Sequence, residues 1–192
     1  MSENQKKCIT IKMMKCRDLY ELNKKYDGLS SQTKNFFHPG FLGFNKISPT
    51  WILFQLGLLL SSNETSKKTL MTTFPVWFFI PVLAKTNKNE IVGLAYIKVK
   101  KKMQDYNFIG ELGIFVEDNY RGLGIGKDLM KTVLSLAVKF HFCRIDIIVS
   151  ANNDTAFGLY RKFGFKKKGY LRNFDKCNEL ISDNISMVLY LK

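Results

Sequence analysis

Between Glu111 and Lys131 the chain reads ELGIFVEDNYRGLGIGKDLMK, a stretch whose residue types suit the holding of a phosphate. Gly122, Gly124 and Gly126 alternate with Leu123 and Ile125 between two cations, Arg121 and Lys127. Glycine lets the backbone come close to a ligand and take dihedrals that side chains resist. Leu129, Met130, Val133, Leu134, Ala137 and Phe140 then recur at helical spacing. The start of such a helix presents unpaired N–H groups and the positive end of its dipole to an anion. Two familiar phosphate loops do not fit. The dinucleotide fingerprint needs glycine at 127, and the P-loop needs glycine at 121 and a hydroxyl at 128; the chain has Lys127, Arg121 and Asp128.

A second constellation lies downstream. Asn153, Ala156, Leu159, Tyr160, Gly164 and Phe165 spell N-x-x-A-x-x-L-Y-x-x-x-G-F. Asn153 is a good N-cap, Gly164 a good stop, and Tyr160 stands one turn beyond Ala156 on the same helical face. The first stretch resembles the R-x-x-G-x-G/A motif of the GCN5-related N-acetyltransferases (the GNAT superfamily), with Arg121, Gly124 and Gly126 on its defining positions. The second resembles that superfamily's other acetyl-CoA motif. The two come in the expected order, separated by a helix and a strand, and the resemblance covers about Ile91 to Leu191.

The resemblance implies an α+β fold in three layers: a mixed, mostly antiparallel sheet with one parallel, splayed strand pair, flanked by helices. It implies acetyl-CoA as co-substrate, no metal, and an amine acceptor that is a small molecule or a peptide or protein. Residues Arg121, Gly122, Leu123, Gly124, Ile125, Gly126 and Lys127 would hold the pyrophosphate. The backbone of Ile114, Phe115 and Val116 would pair with the pantetheine arm after a strand bulge, with the Val116 N–H polarising the thioester. Asn153 and Ala156 would flank that arm. Tyr160 matches the tyrosine that protonates the leaving thiolate; a phenol near pKa 10 stays protonated where a thiol, about 8.5, does not. Glu111, opening the central strand, is the candidate base, with a water chain as the alternative.

The elements that must position these groups follow from periodicity. Cys8 to Met13 reads as a strand and Arg17 to Tyr26 as a helix ended by Asp27-Gly28. Leu29 to Gly43 is an aromatic, aperiodic loop suited to an acceptor site, and Thr50 to Leu60, after Ser48-Pro49, an apolar helix. Phe74 to Ala84 and Ile91 to Lys100 form a hairpin leading into the Glu111 strand. Arg144 to Val149 is a short buried strand, parallel to its neighbour by a right-handed crossover. Phe165 to Arg172 and Asn184 to Leu191 are closing strands, with a loop from Asn173 to Ser182. The expected organisation is one domain over 1–192: an N-terminal elaboration, 1–73, and an acetyl-CoA-binding core, 74–192.

Composition bounds the rest. With 192 residues, 46% hydrophobic and 14% aromatic, the chain can bury a real core. Its four cysteines form no C-x-x-C pair, which fits a reducing compartment, and MSENQKK is no secretory signal, so the expected location is cytoplasmic. The longest near-apolar run, Trp51 to Leu60, is too short to span a bilayer. A net charge of +14 favours anionic ligands and is a poor match for a polyamine unless the acceptor cleft is locally acidic. No nucleic-acid motif accompanies the lysine clusters 98–102 and 166–168. Two other classes stay open: a non-catalytic acyl-CoA-binding sensor, and a basic nucleic-acid- or ribosome-associated protein. A monomer and a homodimer fit equally well.

Overall fold

The computed structural model describes residues 8–15, 17–28, 79–103, 107–175 and 182–192. The expected aromatic loop and the apolar helix at 50–60 lie outside the described residues, as does the start of the strand expected from Phe74.

Among the described residues, seven strands make one sheet in the order β1-β2-β3-β4-β5-β7-β6. They are β1 (Thr10–Met13), β2 (Phe79–Lys85), β3 (Ile91–Lys102), β4 (Phe108–Val116), β5 (Phe142–Ser150), β6 (Lys166–Asp175) and β7 (Ser182–Tyr190). All neighbours are antiparallel except β4 and β5. The helices are α1 (Asp18–Asp27), α2 (Ile125–Lys139) and α3 (Asp154–Lys162), with one 3₁₀ turn at Asp118–Tyr120. The mixed sheet, the hairpin and the crossover at α2 are as expected; β6 runs on to Asp175, into the expected loop.

Side-chain alternation divides the sheet into two faces. Ile80, Val82 and Ala84 of β2 share one face with Ala95 and Ile97 of β3, Leu112 of β4, and Ile145, Ile147 and Val149 of β5. The buried stripe of α2 covers this face: Ile125, Leu129, Met130, Val133 and Ala137 join the same core. Tyr160 of α3 and Phe165 complete it, and Leu159 of α3 lies against Gly126 of α2. Each buried aliphatic here is worth about 1.5–3 kcal/mol, so this layer fixes where the N-termini of α2 and α3 fall.

The opposite face carries α1. Acidic residues open α1 and lysines close it, as the helix dipole favours. Its Leu22 is fully buried, and Asp18 reaches Lys85 of β2 with Nζ to Oδ1 at 2.6 Å. The same ammonium donates to Asn89 Oδ1 at 3.2 Å, and Asp18 Oδ2 accepts the Lys15 N–H at 2.8 Å. Both Asp18 and Lys85 are buried, and each needs the other to compensate for lost hydration. At the sheet's free edge, β6 presents Lys166, Lys167 and Lys168 exposed, with Lys167 Nζ 3.3 Å from the Tyr170 ring centroid.

Asp18→Ala should lower unfolding stability by about 3 kcal/mol, because the Lys85 ammonium stays buried without its counter-ion. Replacing both by apolar residues of similar size should restore most of the loss; denaturant titration of the three proteins checks both outcomes.

Candidate active site

The parallel pairing of β4 with β5 is short. It runs from Phe108 beside Phe142 to Glu111 beside Asp146 and stops there. Leu112 to Val116 and Ile147 to Ser150 continue as strands without facing one another in the ladder. The sheet therefore forks after Glu111. The bulge implied in the sequence reading is not on β4, whose register with β3 is unbroken from Glu111–Lys98 to Val116–Gly93. The irregularities sit on the flanking strands, at Lys100 of β3 and Cys143 of β5. Bulges of this kind bend the strand that carries them, and both lie just before the fork opens.

The unbroken register also decides which amides face the fork. Glu117 donates its N–H to Val92 O at 2.9 Å. Backbone groups alternate in direction along an antiparallel pair. Those of Glu111, Gly113 and Phe115 thus turn to β3, and those of Leu112, Ile114 and Val116 turn toward β5. Of the three residues expected to offer backbone groups, Ile114 and Val116 turn theirs to the β5 side, whereas Phe115 turns its groups to β3 and buries its ring.

At the open end of the fork, Gly122 and Gly124 have φ of +77° and +79°, values that strain any residue with a Cβ. Gly124 is the N-cap of α2 and makes no side-chain cap. The first amides of α2, at Ile125, Gly126 and Lys127, have no intrahelical acceptor. Gly126 is different: a Cβ there would lie at ordinary contact, 3.5 Å from Leu159 and 3.8 Å from Val116. Arg121 folds back, donating Nε to Val116 O at 3.3 Å and pairing Nη2 with Asp118 at 2.7 Å. It braces the turn, and Lys127 stands exposed beside it. Leu123 is half-buried against the core. The turn is also held from α1 by Lys25, 2.7 Å from Glu117.

Across the fork, Asn153 caps α3, its Oδ1 accepting the Ala156 N–H at 3.1 Å. That bond uses the side chain's oxygen and turns its NH₂ group outward as a donor. Tyr160 is buried against Phe165, with ring centroids 5.9 Å apart. Burial pushes its phenol well above the usual tyrosine value.

Five charges gather at the base of the fork, on the face that α2 and α3 leave uncovered. Lys98 meets Glu111 at 2.9 Å across the β3–β4 register. Asp146, paired with Glu111 on the last closed rung, is buried and takes Arg144 Nε on Oδ1 at 2.8 Å and Nη2 on Oδ2 at 3.0 Å. Lys100 reaches over β4 to Asp146 Oδ2 at 3.2 Å. Burial works to raise the Asp146 pKa, but the hydrogen bonds from Arg144 and Lys100 outweigh it and hold the carboxyl below the usual range. Beside them the Tyr96 ring lies across Gly113, where a Cβ would come within 2.3 Å of it.

Glu111 was readable as a candidate; Lys100, Arg144, Asp146 and Tyr96 were not singled out. A carboxylate inside the apolar strand RIDIIV was the available signal, because a buried charge demands partners.

The acetyltransferase (GNAT) family model matches residues 60–165. A spermine/spermidine N(1)-acetyltransferase of Bacillus subtilis (strain 168) is 28% identical over 116 residues, 58% of this chain and 76% of its own length. Among solved structures, a GNAT-family acetyltransferase from Streptococcus pneumoniae superposes with a TM-score of 0.68 at 22% identity, covering 95% of this chain and 99% of that one. A spermidine N-acetyltransferase from Vibrio cholerae, in complex with CoA and spermine, gives 0.66 at 15% identity, with 96% of each chain covered.

Because the folded Asp146 carboxyl titrates below its unfolded value, its stabilising contribution is full above an unfolded pKa of about 3.9 and is lost as pH falls through the folded value. Asp146→Asn should cost about 2 kcal/mol at pH 7, less than a fully buried pair because Lys100 is half exposed. It should also flatten the acid limb of the stability curve, as followed by thermal melts from pH 7 to pH 3.

Proposed function

The chain belongs to the acetyltransferase (GNAT) family and is an acyl-CoA-dependent acetyltransferase; on that premise we propose that it transfers acetyl from acetyl-CoA to the primary amine of a small molecule at the fork of β4 and β5. The observation that supports this best is the fork itself. Ile114 and Val116 turn their backbone groups toward a strand that has moved away, just beyond the Leu112 N–H that closes the last rung. An extended pantetheine arm, with two amides of its own, is the chemical equivalent of the missing strand.

The parts fit that substrate. The α2 amides from Ile125 to Lys127, reached through Gly122 and Gly124, take the pyrophosphate. Arg121 fixes the turn, and Lys127 adds charge. Val116 lies beside the turn, touching Arg121. The thioester ends a long arm, so its carbonyl falls to an amide along the open part of the fork, at Val116 or, deeper, at Ile114. Asn153, with its oxygen spent on the cap, offers its NH₂ group to the arm beside Ala156.

The acceptor nitrogen attacks the thioester carbonyl carbon directly. The C–N bond forms, the C–S bond breaks, and the thiolate takes a proton. Tyr160, kept protonated by burial, is assigned as that donor. The attacking amine must shed a proton. Glu111 stands at the base of the fork, but Lys98 holds its carboxylate at 2.9 Å. We therefore assign the proton path to water ordered by Glu111. The spermine- and spermidine-acetylating relatives favour a small amine over a protein acceptor.

Gly124→Asp places a carboxylate and a strained backbone where the pyrophosphate would sit, and should weaken acetyl-CoA binding at least a hundredfold in calorimetry. Tyr160→Phe should lower kcat at least tenfold while leaving acetyl-CoA affinity within about twofold, the split expected of a group that acts on the leaving thiolate. An unaltered rate removes Tyr160 from the chemistry.

A further inference from the structure

We propose that the acceptor carries a carboxylate near its amine, as an amino acid does, and that Lys100 with Arg144 recognises it beside the fork; this rests on acyl transfer taking place there. Because α2 and α3 fill one face of the sheet, an acceptor meets a thioester in the fork from the other. That face holds the five charges of the last closed rung. Lys98 and Glu111 pair at 2.9 Å. Lys100 and Arg144 share a single carboxylate, Asp146.

The geometry of that sharing leaves capacity. Arg144 occupies both oxygens of Asp146, and Lys100 meets only Oδ2, at the longer distance of 3.2 Å. An ammonium has three donors, and the Lys100 side chain is 49% exposed. The register skips Lys100 between Val99 and Lys101. A bulge of this kind re-aims a side chain, and here it sends Lys100 over β4 toward the fork. A carboxylate arriving beside Asp146 meets one surplus positive charge; a second ammonium is repelled by it.

The composition of the remaining stretches leans the same way. The stretches outside the described residues contain four carboxylates, Glu3, Glu64, Asp105 and Glu179, against seven lysines, Lys6, Lys7, Lys34, Lys46, Lys67, Lys68 and Lys176. Between 29 and 78 the only carboxylate is Glu64. A site built to draw in a polyamine needs carboxylates that are not already matched to lysine and arginine. This chain therefore departs in acceptor charge from the relatives whose names specify spermine and spermidine.

The test uses the full chain, acetyl-CoA and a thiol-release assay at fixed ionic strength. The acceptors are a panel of L-amino acids, each beside its carboxamide, with spermidine and spermine. The amide has the less basic amine and so more of the reactive neutral form; a preference for the acid cannot come from amine basicity. The expected result is at least a tenfold higher kcat/KM for the acids than for their amides and for the polyamines. Lys100→Gln, an exposed change, should cut that preference to about threefold or less through the acceptor KM, with the acetyl-CoA KM unchanged. Preference for spermine or for the amides overturns the proposal, as does the same preference in Lys100→Gln. Absence of turnover with every acceptor also overturns it. Calorimetry with acetyl-CoA then separates the two readings: tight binding keeps the acetyl-CoA fork, and no binding removes that as well.

Discussion

Backbone amides must be satisfied somewhere, and the fork of β4 and β5 is where this sheet leaves that requirement open. The two strands pair only as far as Glu111 and Asp146. Beyond that rung Ile114 and the Val116 N–H turn to the side that β5 has left, while their neighbours Gly113 and Phe115 are committed to β3. Everything else can be read as holding that gap at a useful width. The flanking bulges bend the strands on either side. The core under α2 and α3 fixes both helix starts at the open end. The Arg144–Asp146–Lys100 group fastens the closed end across three strands. On the proposed reading, a ligand with the hydrogen-bonding habit of a β-strand and a phosphate at one end would complete the sheet and the helix terminus together.

The same arrangement separates two kinds of electrostatics. At the open end, positive potential comes from backbone amides and a helix dipole, which side chains shape without being the main donors. At the closed end, it comes from side chains counted against carboxylates, where a single residue changes the balance. A phosphate suits the first because it accepts many hydrogen bonds from fixed directions. Recognition of an acceptor suits the second because one charge in excess or deficit discriminates between otherwise similar amines.

Much of this was legible in the sequence. Elements with strong periodicity were placed correctly: the β2–β3 hairpin, the strand into the glycine turn, α2, and α3 with its Asn153 cap and Gly164 stop. Gly122 and Gly124 showed themselves because a positive φ demands glycine. What the sequence could not show depends on which strand lies beside which. The Lys100–Asp146 bond joins residues 46 apart in sequence across an intervening strand, and no local pattern announces it. The origin of the fork in β3 and β5, instead of in β4, likewise depends on register. The charge of Arg121 was legible; its bonds to Val116 and Asp118, which brace the turn, depend on geometry.

The exposed lysines of β6 have a consequence of a different sort. An edge strand with unpaired N–H and C=O groups is a template on which another chain's strand can add, the usual start of insoluble aggregates. Here three consecutive lysines, 166 to 168, line that edge. Two such edges brought together would oppose six ammonium groups within a few ångströms. Among the described residues, charge at this last strand opposes such pairing, most strongly in dilute buffer and less as salt screens it over about 10 Å at 0.1 M.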